Sequence, residues 1–192
     1  MPRVSAEHLA NRRRQILDAA ANCFARNGFH RTSMQDIVRE SGLSAGLIYR
    51  YFTGKDDMIL AIVDEWHTTR AAGLEAAGDP LDGYLDLLRA IAAPEADRQR
   101  KLSMQAWAET VREPRIRALA RQGVDEQAAA FGATVPDAAI RVLVAIYQGL
   151  LLQAAWDDEL DVEAFVAAVR STAVTLTGRA PRTEASDVTK EP

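Results

Sequence analysis

Apolar residues recur at helical intervals along almost the whole chain, and no stretch of any length alternates with the two-residue period of a strand. Leu9, Ile16, Ala20 and Phe24 form the stripe of a first helix over 8–27, which Gly28 can end in a left-handed cap. Met34, Ile37 and Val38 mark a short second helix, and Ile48 and Phe52, four residues apart, mark the inward face of a third. A longer helix opens at Lys55, where Asp56 and Asp57 suit the positive end of the helix dipole. It runs through Met58, Ile59, Ile62, Val63 and Trp66 until Gly73 or Gly78 weakens it. Asp79-Pro80 starts another helix carrying Leu81, Tyr84, Leu85, Leu88 and Ile91, and Pro94 breaks it. Beyond it the pattern predicts helices over 95–111, 114–131, 137–156 and 162–176. Residues 179–192 mix charge, Pro, Ser and Thr without periodicity, so disorder is expected there. The prediction is an all-α chain: a three-helix head over 1–54, a helical body over 55–178 and a tail over 179–192.

The densest information lies between Thr32 and Lys55. Thr32 can cap the second helix, with Gln35 completing a capping box. Ser41-Gly42-Leu43-Ser44 reads as a tight turn: Gly42 can take a positive φ, Leu43 can plug the core between the helices, and Ser44 can cap the third helix. The outer face of that helix begins Ala45, Gly46 and continues to Tyr49 and Arg50, thin enough at its start to enter a major groove closely. Tyrosine hydroxyls and a following lysine can hold the phosphates on either side. The predicted contact set is Thr32, Ser44, Ala45, Gly46, Leu47, Tyr49, Arg50, Tyr51 and Lys55.

The pattern Gly42-Leu43-Ser44, Gly46, Ile48-Tyr49, Tyr51-Phe52 and Lys55, preceded by Thr32 and Ile37, resembles the helix-turn-helix of the tetracycline-repressor (TetR) family of bacterial regulators. The resemblance covers about the first third of the chain. It implies a homodimer on a pseudo-palindromic duplex operator, and a body that binds a small effector. Two positions depart from the family pattern: Ala45 and Leu47 stand where polar residues are common. Base reading then leans on thymine-methyl contacts by Ala45 and Leu47, on close backbone approach at Gly46 and on Arg50.

Charge sharpens this picture. Residues 1–55 hold nine Arg and Lys against four acids, whereas the remainder holds 14 against 23. A basic head on an acidic body suits a nucleic-acid module joined to a body that does not bind nucleic acid. One cysteine, Cys23, excludes an intrachain disulfide and sits on an inward stripe, where it reads as a small buried apolar side chain. The arginine-rich amino end lacks the apolar stretch of a secretory leader, and no apolar run reaches membrane-spanning length, so a cytoplasmic protein without membrane contact is expected. His8, His30 and His67 are scattered, and neither a phosphate-binding glycine loop nor a nucleophile elbow occurs, so no catalytic residue, cofactor or metal site is predicted.

The run from Ile140 to Leu152 is apolar nearly all round, and such a helix must be buried on every side. A second copy of the chain is the expected cover, with Leu143 and Leu151 meeting Phe165 and Val169 of the last helix across a four-helix interface. Trp66, Tyr84, Met104, Trp107 and Tyr147, with Gln148 as a polar anchor, are the predicted lining of an effector cavity between the body helices. Gln105 and Gln153 are further anchors, and the lack of a cationic cluster points to an apolar effector. The expected function is therefore that of a DNA-binding repressor relieved by a small apolar molecule. An activator, an effector-independent repressor, and an all-α ligand-binding or enzymatic protein without DNA function are the alternatives.

Overall fold

The computed structural model describes residues 6–133 and 135–177. Among them nine α-helices follow one another: α1 (Ala6–Asn27), α2 (Met34–Ser41), α3 (Ala45–Ile48), α4 (Lys55–Ala76), α5 (Pro80–Ala92), α6 (Asp97–Glu109), α7 (Pro114–Phe131), α8 (Asp137–Gln153) and α9 (Val162–Thr177). The expected disorder over 179–192 lies outside the described residues.

Punctuation largely follows local chemistry. Gly28 and Gly42 take φ of 85° and 67°, the left-handed conformation that lets α1 and α2 stop sharply. Asp79 caps α5, its Oδ1 accepting from Leu81 and Asp82 N–H, with Pro80 at the first helical position. The predicted helix over 95–111 is shorter than expected: Pro94–Ala96 is a 3-10 turn and α6 begins only at Asp97. Pro94 offers no N–H to the end of α5, and Arg100 supplies donors instead, Nη1 lying 3.2 Å from Ile91 O and 2.6 Å from Ala93 O. Helix α8 likewise ends at Gln153, since Ala155 and Trp156 close onto Leu152 O and Gln153 O in tighter turns.

Two apolar clusters organise the chain. The first holds Ile16, Phe24, Ile37, Ile48, Phe52, Met58 and Ile62 and extends to Leu102, Ala106 and Ile116. The core of the head therefore continues through α4 into α6 and α7, and is not closed at residue 54. Cys23 is 1% exposed within it, and burial raises its thiol pKa. The second cluster holds Tyr84, Leu85, Leu88, Phe131, Ile140, Leu150 and Val166.

That second cluster already takes up most of the residues expected at a dimer surface. Leu143, Leu151 and Val169 are 0%, 2% and 6% exposed within the single chain, and Phe165 packs half-buried against the same cluster. Their apolar character is already satisfied at home by α5 and α7. Apolar positions of α8 that remain exposed include Val142, Ala145 and Leu152, the last at 58%, with Trp156 just past the helix end at 69%. Spacings of three, seven and four residues put them on one side, opposite Leu143 and Leu151.

Candidate nucleic-acid interface and adjoining cavity

Helices α2 and α3 meet at a turn that three polar contacts hold. Gln15 Nε2 donates to Ser41 O at 2.9 Å, Ser41 Oγ donates to Val38 O at 3.0 Å, and Leu43 N donates to Ser41 Oγ at 3.2 Å. Ser44 caps α3, its side chain accepting from Leu47 N–H. Ile48 is fully buried and Phe52 is 5% exposed, so α3 is pinned along one side. Only Ala45–Ile48 is regular α-helix; the chain then continues in turns, with Tyr51 N and Phe52 N both donating to Ile48 O.

The cap of α2 is one residue later than expected. Ser33, not Thr32, is the N-cap, and Asp36, not Gln35, completes the box. A carboxylate suits the positive helix end better than a neutral amide. Its hydrogen bonds from the Ser33 side chain and backbone hold the Asp36 pKa below the usual range. Thr32 is 2% exposed, and its hydroxyl donates to Gly28 O at 2.8 Å and to Cys23 O at 3.2 Å. Its side chain therefore closes the end of α1 and is not presented to a ligand.

Of the other predicted contact residues, Ser44, Ala45, Gly46, Tyr49 and Arg50 are exposed, while Leu47, Tyr51 and Lys55 are half-buried. Lys55 has a role that the sequence pattern did not reveal. From the first turn of α4 its Nζ lies 3.3 Å from both His30 O and Thr32 O, so the ammonium braces the α1–α2 connection. An ammonium has three donors, which leaves one for a phosphate. Several head arginines are engaged internally: Arg26 with Glu40 at 2.7 Å, Arg39 with Asp36, and Arg13 with Glu65. Arg31 and Arg50 are exposed, with no ion pair among the described residues, and so remain available to an anionic surface.

Helix α6 joins the head to the body. Gln105, predicted as an effector anchor, instead accepts from Phe29 N at 2.7 Å and donates to Phe24 O at 3.2 Å, closing the end of α1. Glu109 on the same helix lies 2.8 Å from His30 Nε2. Adjacent positions of α6, Ser103, Ala106 and Trp107, face a cavity of about 400 Å³ enclosed by α4, α5, α6, α7 and α8.

Of the residues expected around an effector, Trp66, Trp107 and Tyr147 line that cavity. Tyr84 does not; it lines a smaller pocket and its hydroxyl donates to Leu143 O at 2.7 Å, which makes it core. Met104 packs against the second apolar cluster, and neither it nor Gln148 lines these pockets. The lining also holds two basic residues that the sequence reasoning missed, His67 and Arg70. Arg70 Nη2 donates to His67 Nδ1 at 2.7 Å, and burial together with the neighbouring guanidinium brings the His67 pKa down to about 4. The imidazole is thus neutral near pH 7. Gly123 of α7 makes room for the pair: a Cβ there would lie 2.5 Å from Arg70 Nη2 and 2.6 Å from His67 Nδ1. His67 and Arg70 lie one turn apart on α4, but Gly123 is remote from both in sequence, so no local pattern reveals the close approach.

Among the described residues no helix is long and apolar enough to cross a membrane. Residues 16–62 match the family model described as bacterial regulatory proteins, tetR family. Over 96 residues the chain is 38% identical to the HTH-type transcriptional repressor Rv1474c of Mycobacterium tuberculosis, covering 50% of this chain and 49% of that one. The chain spans about half the length of the curated relatives it matches. Among solved structures, Salmonella enterica GusR superposes with a TM-score of 0.72 at 26% identity, covering 93% of this chain and all of that one (100%). The SmeT–triclosan complex shares the fold at a TM-score of 0.70 and 20% identity, covering 86% of this chain and 90% of that one.

Proposed function

Because this chain belongs to the tetR family of bacterial regulatory proteins, we propose that it is a cytoplasmic, homodimeric transcriptional regulator, a repressor whose grip on a pseudo-palindromic operator is relieved by a small molecule with a largely apolar body. The observation that carries this reading is the double duty of α6, which holds the end of α1 through Gln105 while presenting Trp107 to the cavity. A molecule that shifts α6 on entering must also shift the head.

In this reading α3 enters the major groove with Ala45 and Gly46 leading. Tyr49, Tyr51, Arg50 and the spare donor of Lys55 take the flanking phosphates and base edges. Two copies meet through α8 and α9. Val142, Ala145 and Leu152 on α8 with Trp156 just past its end, together with Ala164, Ala168, Ser171 and Thr175 on α9, form exposed stripes at helical spacing that suit close four-helix packing. The paired recognition helices then read half-sites about one helical turn, roughly 34–36 Å, or a multiple of it apart. A ligand moves the DNA equilibrium only as far as it prefers the non-binding spacing of the heads, and operator DNA must weaken ligand binding by the same factor.

The test is selection of duplexes from a random pool on the purified protein, followed by footprinting. Enrichment of a two-fold symmetric site protected by a dimer is expected. Recovery of no preferred duplex from the pool would overturn the regulator reading in favour of a helical protein that only binds small molecules.

A further inference from the structure

The cavity carries an arginine that has no carboxylate partner among the described residues. Arg70 of α4 lines both the main cavity and a smaller pocket of about 20 Å³, and Leu87, Trp107, Ala120 and Tyr147 line both as well, so the two spaces adjoin. A space of that size takes one water-sized group. The guanidinium spends one donor on His67 Nδ1 and contacts the Tyr147 phenol, and no carboxylate of the described residues lies at ion-pair distance from it. His67 is neutral, so it neither cancels nor shares that charge. Of the acids around the pair, Asp86 lines the main cavity but pairs with Arg89 at 3.0 Å and is largely exposed, and Glu126, which acts on His67, accepts from Gln122 at 2.8 Å. Asp64, which also acts on His67, is exposed on α4.

A second buried donor belongs to a residue of the small pocket. Gln127 lines the small pocket, and its Nε2 is buried without a hydrogen-bond partner. An unmade bond of that kind costs about 1–3 kcal/mol, so a site with two idle donors is built for a ligand that brings acceptors. A guanidinium has five N–H donors in a planar fork that matches a carboxylate. Trp66 on the main cavity and Trp107 on both spaces offer flat apolar walls.

We propose that the effector of this cavity is an organic anion, a monocarboxylate with an aromatic or aliphatic body, whose head group lies between Arg70 and Gln127 and whose body lies against Trp66 and Trp107. This rests on the reading of the cavity as the effector site, and it narrows the effector from an apolar molecule to an apolar body with one charged end. One carboxylate oxygen fits the small pocket within reach of Gln127, and the other meets the guanidinium.

The experiment titrates the full chain by calorimetry with matched triads: 4-phenylbutyrate, 4-phenylbutan-1-ol and 4-phenylbutylamine, then octanoate, 1-octanol and octylamine. The acid is expected to bind about 10–150-fold more tightly than its alcohol, the range of a charge-assisted hydrogen-bonded pair, with the amine weakest. Arg70→Gln removes that preference while leaving alcohol affinity in place, and Arg70→Lys, which keeps the charge without the fork, retains part of it. Alcohols or amines that bind as well as the acids overturn the proposal. So does an acid preference that survives in Arg70→Gln, or a failure of both acids to bind. The wild-type triads decide this even if Arg70→Gln does not fold. A parallel arm follows release of the selected duplex. Acids that bind yet release no DNA leave the anion site standing and sink the effector reading, whereas alcohols that release DNA as well as the acids do the reverse.

Discussion

Replacing Gln105 tests how the body holds the head. Its amide spans two backbone groups at the end of α1, accepting from Phe29 N at 2.7 Å and donating to Phe24 O at 3.2 Å, both partly buried. Gln105→Leu keeps the volume, excludes water and leaves Phe29 N–H without a partner, while Phe24 O keeps Gly28 N–H at 2.8 Å, at a cost of about 1–3 kcal/mol. Gln105→Ala opens a gap that water can enter and should cost less. For a chain of this size each kcal/mol lowers the Tm by about 2–4 °C, so Gln105→Leu should melt about 2–12 °C below wild type, with Gln105→Ala between them. Differential scanning calorimetry reads this directly. The functional consequence is separate: the change leaves the apolar cluster beneath the head intact, so binding of the selected duplex should persist, while the ligand-dependent loss of binding, typically about 5–150-fold in such coupled systems, should shrink toward unity. Wild-type melting together with a full ligand response in Gln105→Leu would refute the assignment of α6 as the link.

Three other outcomes follow from the structure. Leu152→Glu, placed on the exposed stripe of α8, should yield a folded monomer that no longer protects a symmetric site, whereas Leu151→Glu should unfold the chain because Leu151 is 2% exposed in its own core; sedimentation and circular dichroism separate the two. Arg50→Ala should lower affinity for duplexes and, if the contact is to phosphate, reduce the salt slope by about one; Lys55→Ala should do the same and also lower the Tm, because its ammonium braces His30 O and Thr32 O. His67 has a folded pKa of about 4 against 6.5 when free, so above pH 6.5 it makes no difference to stability. Below that the unfolded chain takes up the proton first, and stability falls until about pH 4. Denaturant titrations from pH 7 to 4 should show a shallower decline in His67→Gln.

The sequence alone determined what depends on neighbours a few residues apart. Helix stripes, the stops at Gly28 and Gly42, the Ser44 cap and the thin outer face at Ala45 and Gly46 are local facts, because a helix and its caps are built from contacts within about four residues. The stripes and stops of the head were accordingly legible, and its slips were few: Leu9, read as inward, is 46% exposed, the third helix is regular only over Ala45–Ile48, and the expected cap falls on Thr32 in place of Ser33 because two capping patterns overlap there. Tertiary structure alone decided which side of an all-round apolar helix faces its own chain. Hydropathy makes Leu143, Leu151 and Leu152 look alike, but packing against α5 and α7 buries the first two and leaves Leu152 outside. Nor could spacing show that Lys55 reaches back to His30, that Gln105 serves α1 and not a ligand, or that Gly123 admits the guanidinium of Arg70. Those pairings join residues 25 to 81 positions apart, and burial of a charge or an amide is a property of the space that distant helices enclose, which no local pattern encodes.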